Sequence, residues 1–153
     1  MTVTSKREVN ILKLKAEIQK HWEITDHRPI SWFLGFEIRQ DWKAKTIFIN
    51  QSAYIKRIVE KFNLTNAQPF STPVEPGTKF PVEQCPSSIN QQSKMKGIPY
   101  SEAIRSVLWA AVVSRPDIAY TTETLSQFIQ NPGHAHWEGV KWIIIYLESM
   151  KDK

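Results

Sequence analysis

Cysteine, long apolar runs and clustered acidic residues are scarce in this chain of 153 residues. The single cysteine, Cys85, excludes an internal disulfide and a cysteine-rich zinc site, and it favours a reducing environment. The longest strongly apolar run, Ile143 to Leu147, is much shorter than the roughly 20 residues that cross a bilayer. The N-terminus lacks the apolar core of a signal peptide. We therefore expect an intracellular protein, cytoplasmic or nuclear, with no membrane contact.

Paired acidic residues are also missing. Two-metal catalysis needs clustered carboxylates that hold two cations about 4 Å apart. The aspartates stand far from one another in the sequence, at Asp26, Asp41, Asp117 and Asp152. There is no glycine-rich phosphate loop and no Gly-x-Ser-x-Gly motif. We predict no catalytic residue, no metal ligand and no cofactor site in this chain.

Two histidines, His134 and His136, are the remaining candidates for metal binding. No cysteine and no second pair accompany them at the spacing of a zinc site. We therefore expect them to serve in packing or helix capping.

The charge balance leans towards positive. Twenty Lys and Arg against fifteen Asp and Glu give a formal net charge of +5, which mildly favours a polyanionic partner. The length corresponds to roughly one domain.

The N-terminal segment has the pattern of an amphipathic helix over residues 6–22. Ser5 and Glu8 form a capping-box pattern. Apolar residues then repeat at helical spacing, at Ile11, Leu14, Ile18 and Trp22.

Alternating apolar residues next predict an antiparallel hairpin. Its first strand runs from Trp32 to Ile38 and its second from Thr46 to Ile49. A helix follows, with Ser52 as a candidate N-cap and Asn63 as a left-handed C-cap. We expect Trp22, Trp32 and Trp137 to lie in the core.

The segment 64–99 differs in composition, since it holds six of the nine prolines and shows no apolar periodicity. It predicts an extended, partly mobile linker. Three helices are predicted after it, over residues 101–114, 117–130 and 134–150. The last has an inner stripe of Trp137, Val140, Ile144 and Leu147. The pattern as a whole predicts an α+β fold that ends in a small three-helix bundle.

Several short segments resemble copia-type retrotransposon reverse transcriptases, and they follow one another in the family's order. They are Trp32 to Ile38, Gln51 to Ile55, Ser71-Thr72-Pro73, Arg115 to Tyr120, Leu125 to Phe128, Asn131-Pro132-Gly133 and His136-Trp137. The resemblance covers nearly all of the chain.

The resemblance implies a division into three parts: a palm remnant with a primer-grip-like hairpin in 1–63, a linker in 64–99, and a helical thumb-like module in 100–153. In the family, a Tyr-x-Asp-Asp hairpin binds Mg²⁺ for RNA-directed DNA synthesis, and this chain lacks that hairpin. The chain then resembles an incomplete fragment that does not polymerise alone. There are two alternatives. The chain is part of a longer, active Pol polyprotein, or it is a protein-interaction module adopted by the host.

The same resemblance suggests nucleic-acid contacts. Phe33, Leu34 and Gly35 occupy the places of the primer grip, a turn that touches the primer terminus. The alternative is a core hairpin whose glycine relieves crowding.

Basic helix faces are further candidates for weak contact with a primer-template. The positive charges that suit phosphates are carried by Lys13, Lys15, Lys56 and Arg57, with Lys6, Arg7, Lys20 and Lys61 near them. Solvated helix faces would show the same pattern.

Trp142 and Ile145 depart from the family, which has basic residues at these places. Stepping 100° per residue puts both opposite the inner stripe of the last helix. We therefore expect an outward apolar pair that is a candidate for self-association.

Overall fold

The computed structural model describes residue 5, residues 7–25 and residues 29–151. These residues form an α+β fold with six α-helices and one antiparallel sheet of three strands, which confirms the predicted fold class. The elements in chain order are α1 (Glu8–His21), β1 (Trp32–Phe33), β2 (Phe36–Asp41), β3 (Thr46–Asn50), α2 (Ser52–Lys61), α3 (Ile89–Met95), α4 (Tyr100–Val113), α5 (Ala119–Ser126) and α6 (His134–Ser149).

Helix α1 forms where its periodicity predicts, but its apolar stripe is not buried. None of its residues is buried, and Trp22, which follows the helix, is 72% exposed. The prediction of Trp22 as a core residue is therefore wrong. The capping box is also wrong, because Arg7 is the N-cap and no side chain caps the helix.

The sheet differs from the predicted hairpin because the run from Trp32 to Ile38 turns back on itself. Phe33 pairs with Phe36, so Leu34 and Gly35 form a two-residue turn between β1 and β2. The order of strands is β1-β2-β3. The placement of Trp32 in the core is wrong, since its surface is 56% exposed on this short edge strand.

Helix α2 ends as the sequence predicts, with Asn63 in the left-handed conformation at φ 56°. Its start differs by one residue, since Gln51 is the N-cap in place of Ser52. The Asn50 side chain accepts a hydrogen bond from the Ser52 backbone N–H at 2.7 Å and so satisfies one unpaired amide of the first turn.

The core lies among α2, α4, α5 and α6. The residues predicted for the inner stripe of α6 are confirmed, since Val140, Ile144 and Leu147 are almost completely buried and Trp137 packs against them. Helix α2 contributes Ile55, Ile58 and Val59 to the same cluster. The second C-terminal helix is shorter than predicted, because a 3-10 turn (Pro116–Ile118) precedes α5 and α5 already ends at Ser126.

The segment 64–99, called the strap below, packs against the C-terminal helices. Phe70 and Phe80 both contact the core. Phe80 can approach α6 because position 139 is glycine, where an added Cβ would lie 2.7 Å from the Phe80 ring. The Ser149 hydroxyl donates to the Phe70 carbonyl at 2.7 Å.

The strap also covers Trp142, so the predicted outward apolar pair is wrong. The Trp142 ring stacks on Phe70 with 3.6 Å between ring centroids, and its Nε1–H donates to the Thr72 carbonyl at 2.8 Å. Trp142 and Ile145 are both partly buried. Helical periodicity places this pair opposite the core stripe, and the strap supplies the second surface that periodicity does not reveal.

The division into 1–63, 64–99 and 100–153 stays a prediction. The contacts that bear on it are those of α2, which lies before residue 63 and shares its apolar face with α4 and α6.

Candidate nucleic-acid interface

The turn between β1 and β2 is built by two residues with positive φ. Leu34 has φ 50° and Gly35 has φ 88°. Positive φ at both central residues matches the right-handed twist of the flanking strands, and glycine adopts it without strain. Phe33 and Leu34 remain exposed to solvent at this turn. The turn therefore exposes one aromatic and one aliphatic side chain.

Arg57 of α2 lies directly behind this turn. A Cβ placed on Gly35 would be 3.4 Å from an Arg57 guanidinium nitrogen, so the glycine and the cation are in close proximity. The same guanidinium lies over the Tyr54 ring, with Cζ 5.8 Å from the ring centroid. The structure thus brings together Phe33, Leu34, Gly35 and Arg57, which we call the turn site.

The other predicted basic residues are placed differently. Lys56 is exposed on α2, next to Arg57 in sequence. Lys13 is exposed and Lys15 is partly buried on α1. Helix α1, which carries these two lysines, has no buried residue. Lys6 lies outside the described residues.

The two described aspartates are held by local hydrogen bonds. Asp41 accepts from the backbone N–H groups of Lys43 and Ala44, both at 2.9 Å, and so closes the turn between β2 and β3. Asp117 accepts a bidentate pair from Arg115, at 3.0 and 2.7 Å. Asp26 and Asp152 lie outside the described residues.

Asp117 belongs to a cluster that sequence reasoning missed. The Tyr146 hydroxyl donates to the same carboxylate at 2.7 Å, and the Arg115 guanidinium lies 5.3 Å from the centroid of the Tyr146 ring. These hydrogen bonds, led by those from Arg115, hold the pKa of Asp117 below its usual range. The cluster links the start of α5 to the end of α6. The Arg115-Pro116-Asp117 order is the signal that could have revealed it.

The expected capping role of His136 is confirmed. Its ring is completely buried and stacks on Phe128, and its Nδ1 accepts from the Gly133 backbone N–H at 2.9 Å. Burial lowers the pKa of His136. His134 is exposed and lies 3.5 Å from Glu138. Within the described ranges, no three His, Cys, Asp or Glu residues lie close enough to hold a metal ion.

No helix in the described part of the chain is both long and apolar enough to cross a bilayer.

Comparison with known proteins identifies relatives over nearly the whole chain. Residues 1–76 match the family described as "Reverse transcriptase (RNA-dependent DNA polymerase)". The Pol polyprotein from transposon TNT 1-94 of Nicotiana tabacum is 37% identical over 147 residues, which is 96% of this chain and 11% of that protein. The Pol polyprotein from transposon RE1 of Arabidopsis thaliana is 27% identical over 85% of this chain and 8% of its own length.

A shorter relative is also similar. An uncharacterized mitochondrial protein of Arabidopsis thaliana is 22% identical over 135 residues, which cover 86% of this chain and 51% of that protein. No solved structure matches the chain. The chain spans about a tenth of the length of the two Pol polyproteins. It therefore belongs to the reverse transcriptases of copia-type retrotransposons and corresponds to a part of their Pol polyprotein.

Proposed function

We propose that this part of a copia-type reverse transcriptase contacts a primer-template weakly through the turn site and does not polymerise by itself. The observation that carries the proposal is the two-residue turn, which exposes Phe33 and Leu34 and places Gly35 close to the Arg57 guanidinium. The turn falls on the residues that resemble a primer grip.

The chemistry of the turn site suits the end of a nucleic-acid strand. An exposed aromatic ring such as that of Phe33 offers a stacking surface to any base. The Arg57 guanidinium, with no carboxylate among its described contacts, is a donor for phosphate oxygens. One cation and one ring provide few contacts, so the affinity is expected to be low and sensitive to salt.

The same proposal places no Mg²⁺ site in this chain. Such a site is expected only in a complete enzyme of the family. The carboxylates of Asp41 and Asp117 are already engaged by backbone amides and by Arg115. They lie on different connections of the fold and do not form a pair. The residues that the structure describes therefore do not fit a two-metal centre. We expect no nucleotide incorporation by the purified chain with Mg²⁺ or Mn²⁺.

Fluorescence anisotropy with a labelled primer-template at low salt tests the contact. Joint replacement of Phe33 and Leu34 by alanine should weaken binding by about tenfold, since stacking on one aromatic side chain contributes about 1–3 kcal/mol per base. The matched control is Trp42→Ala, an exposed aromatic at the turn between β2 and β3. Equal losses for both variants would contradict the turn site.

The salt dependence separates a phosphate contact from general charge. Replacing Arg57 by Gln should lower the slope of log affinity against log salt by about 0.7–0.9, the value for one phosphate contact. Lys94→Gln removes the same charge from the exposed helix α3 and should leave the slope unchanged. A common change in both variants would mean that the chain binds by net charge alone.

The second candidate function is that the chain serves as one part of a larger polymerase. The exposed apolar residues of α1 favour it. The predicted apolar stripe of α1 is not buried, since Leu14 is exposed and Ile11 and Ile18 are only partly buried. We infer that preceding palm strands would cover them in a longer chain. Hydrogen exchange would test this inference, since α1 amides should gain protection when the preceding coding sequence is included. Unchanged exchange would count against it.

A further inference from the structure

Strand β3 is an edge strand with an unusual composition. In the described sheet it pairs with β2 and has no strand on its other side. Its apolar residues Ile47, Phe48 and Ile49 are 66%, 60% and 57% exposed. The strand contains no charged residue and no proline, the residues that commonly protect an open edge from pairing.

The sequence of β3 is symmetric about Phe48. On either side of Phe48 stands an isoleucine, and beyond each isoleucine stands a small polar residue, Thr46 or Asn50. An antiparallel partner with the same sequence would put Phe48 opposite itself and Ile47 opposite Ile49. Directly opposed residues share a face of the sheet, so the isoleucines would meet on one face and the phenylalanines on the other.

We propose that β3 pairs with β3 of a second copy of this chain, antiparallel and centred on Phe48, to give a continuous sheet of six strands. Such a contact is self-complementary, as a two-fold interface requires. It would satisfy backbone groups of the open edge and cover apolar residues of both copies. This inference is independent of the turn site and of nucleic-acid binding.

Space and charge are both compatible with a second copy. A groove of about 510 Å³ lies beside Phe48, Ile49 and Asn50, and its other lining residues include Arg39 of β2, Arg115 and Lys151, so the space next to this part of the strand is open. The residues that would face each other are uncharged, so pairing removes no charge from water. The nearest lysine, Lys45, precedes the strand and lies three residues from the proposed axis.

The expected dimer is weak. A five-residue strand covers much less than the roughly 800 Å² per partner of a standard interface, so we expect a dissociation constant in roughly the millimolar range. Each chain carries a net charge of +5, so two chains repel each other. Salt screens this repulsion, and association should therefore strengthen as salt rises. Nucleic-acid binding has the opposite salt dependence.

Disulfide trapping tests the register. In the full chain with Cys85→Ser, the variant Phe48→Cys should form an intermolecular disulfide in a glutathione buffer, because opposed residues have Cα atoms about 4.5–5.5 Å apart. Ile47→Cys should form about tenfold less of the disulfide-linked dimer, because position 47 of one copy lies diagonally across from position 47 of the other, at about 7–8 Å. A mixture of Ile47→Cys chains and Ile49→Cys chains should form the mixed dimer.

Analytical ultracentrifugation supplies a second measurement that needs no cysteine. The unmodified chain should show concentration-dependent dimerisation that increases with salt, and Phe48→Lys should abolish it. The Phe48 side chain is exposed, so circular dichroism should confirm that this variant folds. Equal trapping at positions 47 and 48, an unmodified chain that is monomeric at all concentrations, or a dimer that survives Phe48→Lys would each overturn the proposal.

Discussion

Individual side chains fix the strap to α6, and Trp142 shows how. Its ring stacks on Phe70 and its indole N–H bonds to the Thr72 carbonyl. A helix residue that lies opposite the core stripe therefore makes internal contacts with the strap.

We predict that Trp142→Ala destabilises the chain by about 2–3 kcal/mol, since a partly buried aromatic contributes somewhat less than a fully buried one. Trp142→Phe keeps a ring against Phe70 and loses only the hydrogen bond, which costs about 1 kcal/mol. Urea unfolding measures both. Trp42→Ala is the control, because Trp42 is 75% exposed and its loss should change stability by less than about 0.5 kcal/mol.

A second prediction concerns His136 and acid. Burial holds its pKa below the ordinary value of 6.5, so the unfolded chain binds the proton more readily than the native one. The contribution of the neutral ring is present in full above pH 6.5 and is lost as pH falls through the lower pKa of the folded state. Unfolding free energy should therefore decrease between pH 7 and pH 5.

The variant His136→Gln should flatten this decrease, although it lowers stability overall by removing the stack on Phe128. His134→Gln is the matched control on the same helix, because His134 is exposed and should leave the slope unchanged. An unaltered slope in His136→Gln would assign the pH dependence to another group. The carboxyl of Asp117 acts in a lower window, since its pKa is also depressed and its contribution is lost only below about pH 4.

At the scale of elements, the turn between β1 and β2 combines a strained residue with a permissive one. A non-glycine residue in the left-handed region costs about 1–2 kcal/mol, and Leu34 occupies it at φ 50°. Asparagine before glycine is the preferred pair for this kind of turn. Asparagine at position 34 would therefore be more stable in this turn than leucine.

Replacing Leu34 by Asn should raise stability by about 1 kcal/mol and, if the turn site is correct, should weaken primer-template binding. Gly35→Ala should lower stability, because alanine at φ 88° is strained. Chemical denaturation and anisotropy separate the two effects. A stability loss in Leu34→Asn would show that leucine packs at the turn.

At the scale of the whole molecule, one apolar core joins residues from both sides of the strap. Ile55 and Ile58 of α2 pack with Val107 of α4 and with Ile144 of α6. Two pieces divided at the strap would each lose part of this core. The contacts therefore predict cooperative behaviour across the chain.

Within the strap, limited trypsin digestion should cut first after Lys94 or Lys96, because α3 has no buried residue. Cleavage after Lys79 should be slower, since Phe80 follows it and packs against Gly139. The two fragments should still elute together in gel filtration and separate only in denaturant. Immediate separation of the fragments without denaturant would favour independent domains on either side of the strap.

The sequence by itself determined the fold class, the end of α2 at Asn63 and the inner stripe of α6. These features depend on local periodicity and on the backbone preferences of single residues. The candidate residues Phe33, Leu34, Gly35 and Arg57 were also found from sequence, through motif order and charge. Sequence alone did not show that these residues lie next to one another.

Only the tertiary structure decided which apolar stripes are covered. Trp22 and Trp142 both stand on helical stripes, yet Trp22 is exposed and Trp142 is covered by Phe70. Periodicity reports the direction of a side chain and carries no information about what lies opposite it. The strap escaped prediction because single aromatic residues, Phe70 and Phe80, hold it in place. Such isolated contacts need a distant partner, here α6, and have no period in the sequence.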